Sequence, residues 1–83
     1  MKLVWDDSAW EDYLYWQRQD RKVLRRINLL IADIVRRGGI GKPEPLKPGL
    51  HGYWSRRITS EHRLVYKVVD DAVRIAQCRL HYG

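Results

Sequence analysis

The second half of this sequence holds the side-chain types that cleavage of a phosphodiester requires. Glu44 lies in Gly41-Lys42-Pro43-Glu44-Pro45-Leu46-Lys47, with a proline on each side. Proline fixes its own φ and keeps the residue before it out of the helical region. The carboxylate is therefore carried on a stiff stretch of backbone. The cations Lys47, Arg56, Arg57 and Arg63 follow, and His81 and Tyr82 stand just before the final Gly83. Cutting RNA without a metal takes a base for the 2′-hydroxyl, cations for the phosphorane charge and an acid for the leaving 5′-oxygen. It also takes something that holds the nucleotides in line. Glu44, the Lys and Arg set, His81 and Tyr82 match those parts by residue type. A general acid must start protonated, and an imidazole with an ordinary pKa of about 6.5 is mostly neutral at pH 7. In that role His81 needs Glu44 or the bound phosphate to raise its pKa.

Charge points the same way. The 83 residues carry 16 Lys plus Arg against 10 Asp plus Glu, a formal net charge of +6. The surplus falls mainly after residue 41, which implies an anionic partner. Most of the cations are arginine, whose fork suits bidentate phosphate contact. Hydrophobic residues make up 45% of the chain, too many for a disordered segment. The length suits one domain, residues 1–83. The longest apolar run, Ile27 to Val35, is interrupted by Asn28 and Asp33, and the first residues do not read as a signal peptide. A cytoplasmic protein with no membrane span is expected. Its single Cys excludes an internal disulfide. Cys78, His51, His62 and His81 lack a zinc-like spacing, so no metal or other cofactor is expected.

The elements that must position these groups can be read from periodicity. Lys2 to Trp5 is a short apolar run that suits a strand. Ser8 and Glu11 have capping-box spacing, and Trp10, Tyr13, Leu14 and Gln17 form a helical stripe. Asp20 can cap a second helix whose stripe is Val23, Ile27, Leu30, Ile31 and Ile34. Gly38 and Gly39 end it. Residues 38–52, rich in glycine and proline, read as a loop. Tyr53 to Ile58, His62 to Val69 and Ala72 to Leu80 read as strands, with turns at Thr59-Ser60-Glu61 and Asp70-Asp71. The expected fold is α+β in the order β-α-α-β-β-β. It has a mainly antiparallel sheet and a helical hairpin on one face.

Trp54-Ser55-Arg56-Arg57-Ile58-Thr59, Glu61-His62-Arg63-Leu64-Val65-Tyr66 and Cys78-Arg79-Leu80-His81-Tyr82 together resemble the YoeB (Txe/YoeB) toxins of the RelE/ParE superfamily. The Glu44 loop and the start Met1-Lys2-Leu3-Val4-Trp5 match the same family, so the resemblance covers essentially the whole chain. It implies a RelE-like (microbial RNase-like) fold and a ribosome-dependent endoribonuclease that cuts mRNA in the A site. A 2′,3′-cyclic phosphate and a 5′-hydroxyl would be the products. By the same resemblance Glu44 matches the general base, His81 the general acid and Arg63 the arginine that stabilises the transition state. Lys47 and Arg57 match supporting cations, and Tyr82 the tyrosine that positions substrate. The implied partners are a YefM/Phd-type antitoxin, the ribosome with its A-site mRNA, operator DNA through the toxin–antitoxin complex, and a second copy of the chain. The family pattern commonly ends at His-Tyr, whereas Gly83 follows here. Two other readings of the scaffold are a ParE-like gyrase inhibitor and a non-catalytic RNA- or protein-binding module. Neither needs Glu44 and His81 together.

Arg56 and Arg57 alternate faces, so only one can reach a given phosphate. The motif selects Arg57 and leaves Arg56 solvated or facing a partner. Arg74 and Arg79 read as structural or facing rRNA, and the Arg21 to Arg26 run as a solvated or rRNA-facing side of the second helix. Trp5, Trp10 and Trp54 are expected in the core, and Trp16, off the stripe, against a partner or a second copy of the chain. Cys78 reads as an inert buried thiol. His51 and His62 are left as structural or unassigned.

Overall fold

The computed structural model describes residues 1–46 and 52–80. The chain runs β1 (Lys2–Trp5), α1 (Asp7–Gln19), α2 (Arg21–Val35), β2 (Glu44–Pro45), β3 (Tyr53–Arg57), β4 (Arg63–Val69) and β5 (Ala72–Gln77). The five strands form one mixed sheet in the order β1-β5-β4-β3-β2. Only β1 runs parallel to its neighbour, β5; the other pairs are antiparallel. The α+β class and the helical hairpin are as expected. The strand at Glu44–Pro45 is an addition, because a two-residue strand at a sheet edge has no period to read.

The stripe read on α2 is the buried one: Val23, Ile27, Leu30, Ile31 and Ile34 all lie in the core. Asp20 caps this helix, its carboxylate accepting from the amides of Lys22 and Val23 at 3.0 and 3.3 Å. At the other end the left-handed residue is Arg37, at φ 63°, rather than a glycine. Gly38 donates its amide to Asp33 O at 2.9 Å, and a Cβ there would meet Asp33 Oδ1 at 2.1 Å. Glycine is thus needed at Gly38 for close approach, and not for its φ.

The face that α1 buries is rotated from the one expected. Trp10 is 45% exposed and Trp16 only 6%. The reason lies at the end of β5. Trp16 Nε1 donates to Cys78 O at 2.8 Å, and Asp12 accepts from the Cys78 amide at 3.1 Å. These bonds satisfy the backbone carbonyl and amide of Cys78 at the inner end of β5. They turn Ala9 and Trp16 inward, and Trp10 is left against Tyr13 and Trp5 at ring separations of 5.6 Å each. Ser8 does not cap the helix; its hydroxyl donates to Ala76 O at 3.4 Å. Trp5 is half-buried against the core, while Trp54, expected inside, is exposed beside the short edge strand.

Asp70 and Asp71 make the β4–β5 turn with φ of 50° and 61°, the paired positive values of a type I′ hairpin. Cys78 is fully buried, and burial pushes its thiol pKa up to about 12, as an inert cysteine requires.

Candidate active site

The sheet has two unlike faces. Arg56, Leu64, Tyr66, Val73 and Ile75 are buried toward the helices. The register then sets the other face without ambiguity. Glu44 stands opposite Ser55 across the β2–β3 pair, and Arg57 stands opposite Arg63 across β3–β4. Ser55 and Arg57 are two residues apart on one strand, so Glu44, Ser55, Arg57 and Arg63 all project from the same side. Two strand spacings and two residues separate the Cα atoms of Glu44 and Arg63, about 12 Å by ladder geometry. Side chains as long as glutamate and arginine can close most of that on a phosphate between them. Lys67 and Arg74 pair across β4–β5 on the same face, extending the cationic strip toward β1. Lys67 sits over the Tyr53 ring at 5.3 Å, and Arg74 bonds Asp6 at 2.9 Å.

Glu44 is exposed and held at the edge of the sheet by its backbone. Leu46 donates to Tyr53 O at 3.0 Å, and Arg57 donates its amide to Gly41 O at 2.7 Å. The two bonds pin the segment on either side of the carboxylate. Gly41 has φ 83°, and a Cβ there would meet Leu30 Cδ2 at 2.9 Å, so only glycine suits this bend.

Arg63 is half-buried, and its Nη1 donates to the turn carbonyls of Thr59, Ser60 and His62 at 2.7, 3.3 and 3.1 Å. Among the described residues nothing accepts from its Nε or Nη2, which leaves one edge of the fork for an anion. Arg57 is exposed, and its carbonyl accepts from Arg26 Nη2 at 3.1 Å. Arg26 is thereby tied to the sheet, while Arg21, Lys22 and Arg25 on the same helix are exposed.

Lys47, His51, His81, Tyr82 and Gly83 lie outside the described residues. The chain up to Leu80 is nonetheless fixed beside Arg63. Leu80 O accepts from the Arg63 amide at 3.1 Å and from Gln77 Nε2 at 3.2 Å. Leu80 N donates to His62 Nδ1 at 2.8 Å. These bonds hold Leu80 at φ 67°, a conformation an unbranched-β residue adopts only when its surroundings impose it. Periodicity could not single out His62 or Gln77 for this work, since it depends on a contact 18 residues away. His62 in turn packs edge-on against Trp16 at 4.7 Å between centroids. Arg79 lies over the Tyr15 ring at 3.7 Å, a structural place in line with the reading made of it.

One expectation is reversed. Arg56, read as solvated or facing a partner, is 4% exposed. Its Nη1 meets Asp33 Oδ2 at 2.5 Å, and its Nε donates to Tyr66 Oη at 3.0 Å. A charge with that many internal partners can stay buried. Asp33 is held below the ordinary carboxylate range, chiefly by the Ile40 amide and then by Arg56 and Arg36.

Comparison with known proteins bears on the family and the fold. Residues 5–82 match the family model described as the YoeB-like toxin of bacterial type II toxin–antitoxin systems. The Toxin YoeB of Escherichia coli K12 is 58% identical over 84 residues, covering 99% of this chain and 100% of that one. A YoeB/ParE toxin structure from Agrobacterium tumefaciens superimposes with a TM-score of 0.95 at 52% identity, covering 99% of this chain and 100% of its own. Staphylococcus aureus YoeB is 48% identical as a dimer and in a heterotetrameric complex with YefM, with TM-scores of 0.92 and 0.90. Each covers 99% of this chain and 98% of its own. A match over nearly the full length, in both sequence and fold, shows that this chain belongs to the YoeB-like toxins of bacterial type II toxin–antitoxin systems.

Proposed function

We propose that this toxin is a ribosome-dependent endoribonuclease that cuts mRNA in the A site by acid–base catalysis without a metal. The observation that carries the reading is the shared open face of Glu44, Arg57 and Arg63, with Leu80 bonded to the Arg63 backbone. Glu44 takes the proton of the 2′-hydroxyl as that oxygen bonds to phosphorus. Arg63, with Arg57 and Lys47, stabilises the charge that develops on the phosphorane oxygens. His81, one peptide bond beyond Leu80, gives its proton to the 5′-oxygen as the P–O bond breaks, and Tyr82 holds a flanking nucleotide. The products are a 2′,3′-cyclic phosphate and a 5′-hydroxyl, and translation stops.

The same cationic face suits an acidic, disordered segment of a YefM/Phd-type antitoxin, which would cover the site and neutralise the toxin. The toxin–antitoxin complex then binds operator DNA. A second copy of the chain meets a different surface. A groove of about 490 Å³ between β1 and α2, with Leu3, Ile31 and Val35 in its wall, has no Lys, Arg, His, Asp or Glu side chain among its lining residues. Two chains of charge +6 associate most readily where their own charge is absent. In this reading the whole chain acts as one domain in the bacterial cytoplasm.

Primer extension in a reconstituted translation system tests the chemistry. Glu44→Gln or His81→Gln should lower codon-aligned cleavage by at least about 100-fold while ribosome binding persists. Full cleavage by both variants would overturn the mechanism. If growth arrest and ribosome binding survive with no cleavage at all, the chain is a binding module.

A further inference from the structure

Arg56 takes no part in the chemistry above, yet it holds the segment that delivers Glu44. Beyond Asp33 and Tyr66, its Nη1 donates to Ile40 O at 3.1 Å and its Nη2 to Gly38 O at 2.8 Å. Asp33 grips the same segment from the other side, accepting from the Ile40 amide at 2.9 Å. The ion pair thus clasps residues 38–40 by two carbonyls and one amide. Immediately beyond, Gly41 O is bonded to the Arg57 amide at 2.7 Å. Gly41 and Lys42 both have positive φ, 83° and 52°, and Pro43 leads directly into Glu44. Three residues of constrained backbone, Gly41 to Pro43, separate the clasp from the carboxylate. A buried ion pair contributes little to net stability compared with apolar residues of the same size, so it is retained most plainly where it sets a geometry.

We propose that Arg56, paired with Asp33, is a positioning residue for Glu44. It locks the Gly38–Gly41 segment against β3, and so fixes the register that sets the Glu44 carboxylate opposite Ser55 and beside Arg57. This rests on the reading of Glu44 as the general base. A planar fork is essential to it, because one guanidinium must reach two carbonyls, a carboxylate and a phenol at once. A lysine ammonium at the same place is a point charge that cannot span them.

The test compares the native chain with Arg56→Lys, Glu44→Gln and the double variant on programmed ribosomes in single-turnover cleavage. Arg56→Lys should cut the rate about 100-fold, the size expected when a reacting group is displaced by about 1 Å, with ribosome affinity unchanged. Glu44→Gln should then cost much less in the Arg56→Lys chain than in the native one, since the carboxylate is already misplaced. Amide exchange at Arg57 and Leu46, whose partners are Gly41 O and Tyr53 O, should quicken while that of Ile27 and Leu30 stays slow. Independent, multiplying losses from the two substitutions, or native cleavage and exchange in Arg56→Lys, would overturn the proposal. Should Arg56→Lys not fold, Tyr66→Phe removes only the Nε bond, and a few-fold loss that vanishes in the Glu44→Gln background is expected. A Tyr66→Phe loss that persists in that background would overturn it equally. If Glu44→Gln cleaves normally in the native chain, the catalytic reading of Glu44 fails, and the exchange at Arg57 and Leu46 still reports whether Arg56 holds the segment.

Discussion

On the helix-covered face of the sheet, Arg56 is locked by Asp33, Tyr66 and two backbone carbonyls. On the open face one residue later, Arg57 is exposed and lies opposite Arg63 with Glu44 nearby. The two side chains are chemically identical and their backbones share a strand. What separates them is desolvation. A guanidinium turned inward must spend its donors within the protein, whereas one turned outward keeps them for an anion. Apart from the Arg56–Asp33 clasp, which reaches Glu44 through residues 38–41, the covered face is therefore expected to answer to mutation through stability, and the open face through activity.

The largest effect should come on the open face. Arg63→Ala is expected to lower single-turnover cleavage by about 100- to 1000-fold, as loss of one donor to a developing oxyanion does. Its urea midpoint should move by no more than about 1 kcal/mol equivalent, the usual worth of its turn hydrogen bonds. A large stability loss there would erase the contrast between the faces. On the covered side, Leu30 is 0% exposed, and Leu30→Ala should cost about 2–5 kcal/mol in urea unfolding. Cleavage per folded molecule should stay near normal.

Acid provides a sharper probe of the Arg56 clasp. The Asp33 carboxyl is held lower in the folded protein than in the unfolded chain. Its contribution is thus complete above its unfolded pKa, about 4, and is lost as pH falls through the lower folded value. Urea midpoints measured from pH 6 downward should decline, and Asp33→Asn should be less stable at pH 6 with a shallower acid slope. An equal slope in both chains would remove Asp33 from the account. The smallest effect belongs to Asp20→Ala, which loses the cap on α2. A drop of about 1 kcal/mol in thermal or urea unfolding is expected, with cleavage unchanged, since the cap touches neither face of the sheet.

Much of the fold was legible because it depends on local periods. The α2 stripe, the Asp20 cap, the alternation along β3 and β4 and the Asp70-Asp71 turn each rest on a few adjacent residues. The candidate site was read by type, as a stiffened carboxylate, clustered cations and a terminal histidine, and register puts Glu44, Arg57 and Arg63 on one face. What local reading missed depends on distant partners. Trp16 turns inward because Cys78 O, 62 residues away, needs a donor. His62 is an anchor because Leu80 returns to it. Arg56 is buried because Asp33 waits on α2.

By itself the sequence determined the two helices and four of the five strands, and which chemical groups are at hand, because periodicity and backbone restriction act over a few residues. It also determined that Arg56 and Arg57 point oppositely, since strand alternation admits nothing else. Only the tertiary structure decided which of the two is buried. It decided too that β1 joins β5 in parallel and that Glu44 sits on a strand rather than in a loop. Those outcomes turn on satisfying buried polar groups across long sequence separations, and only the closed fold brings the partners together.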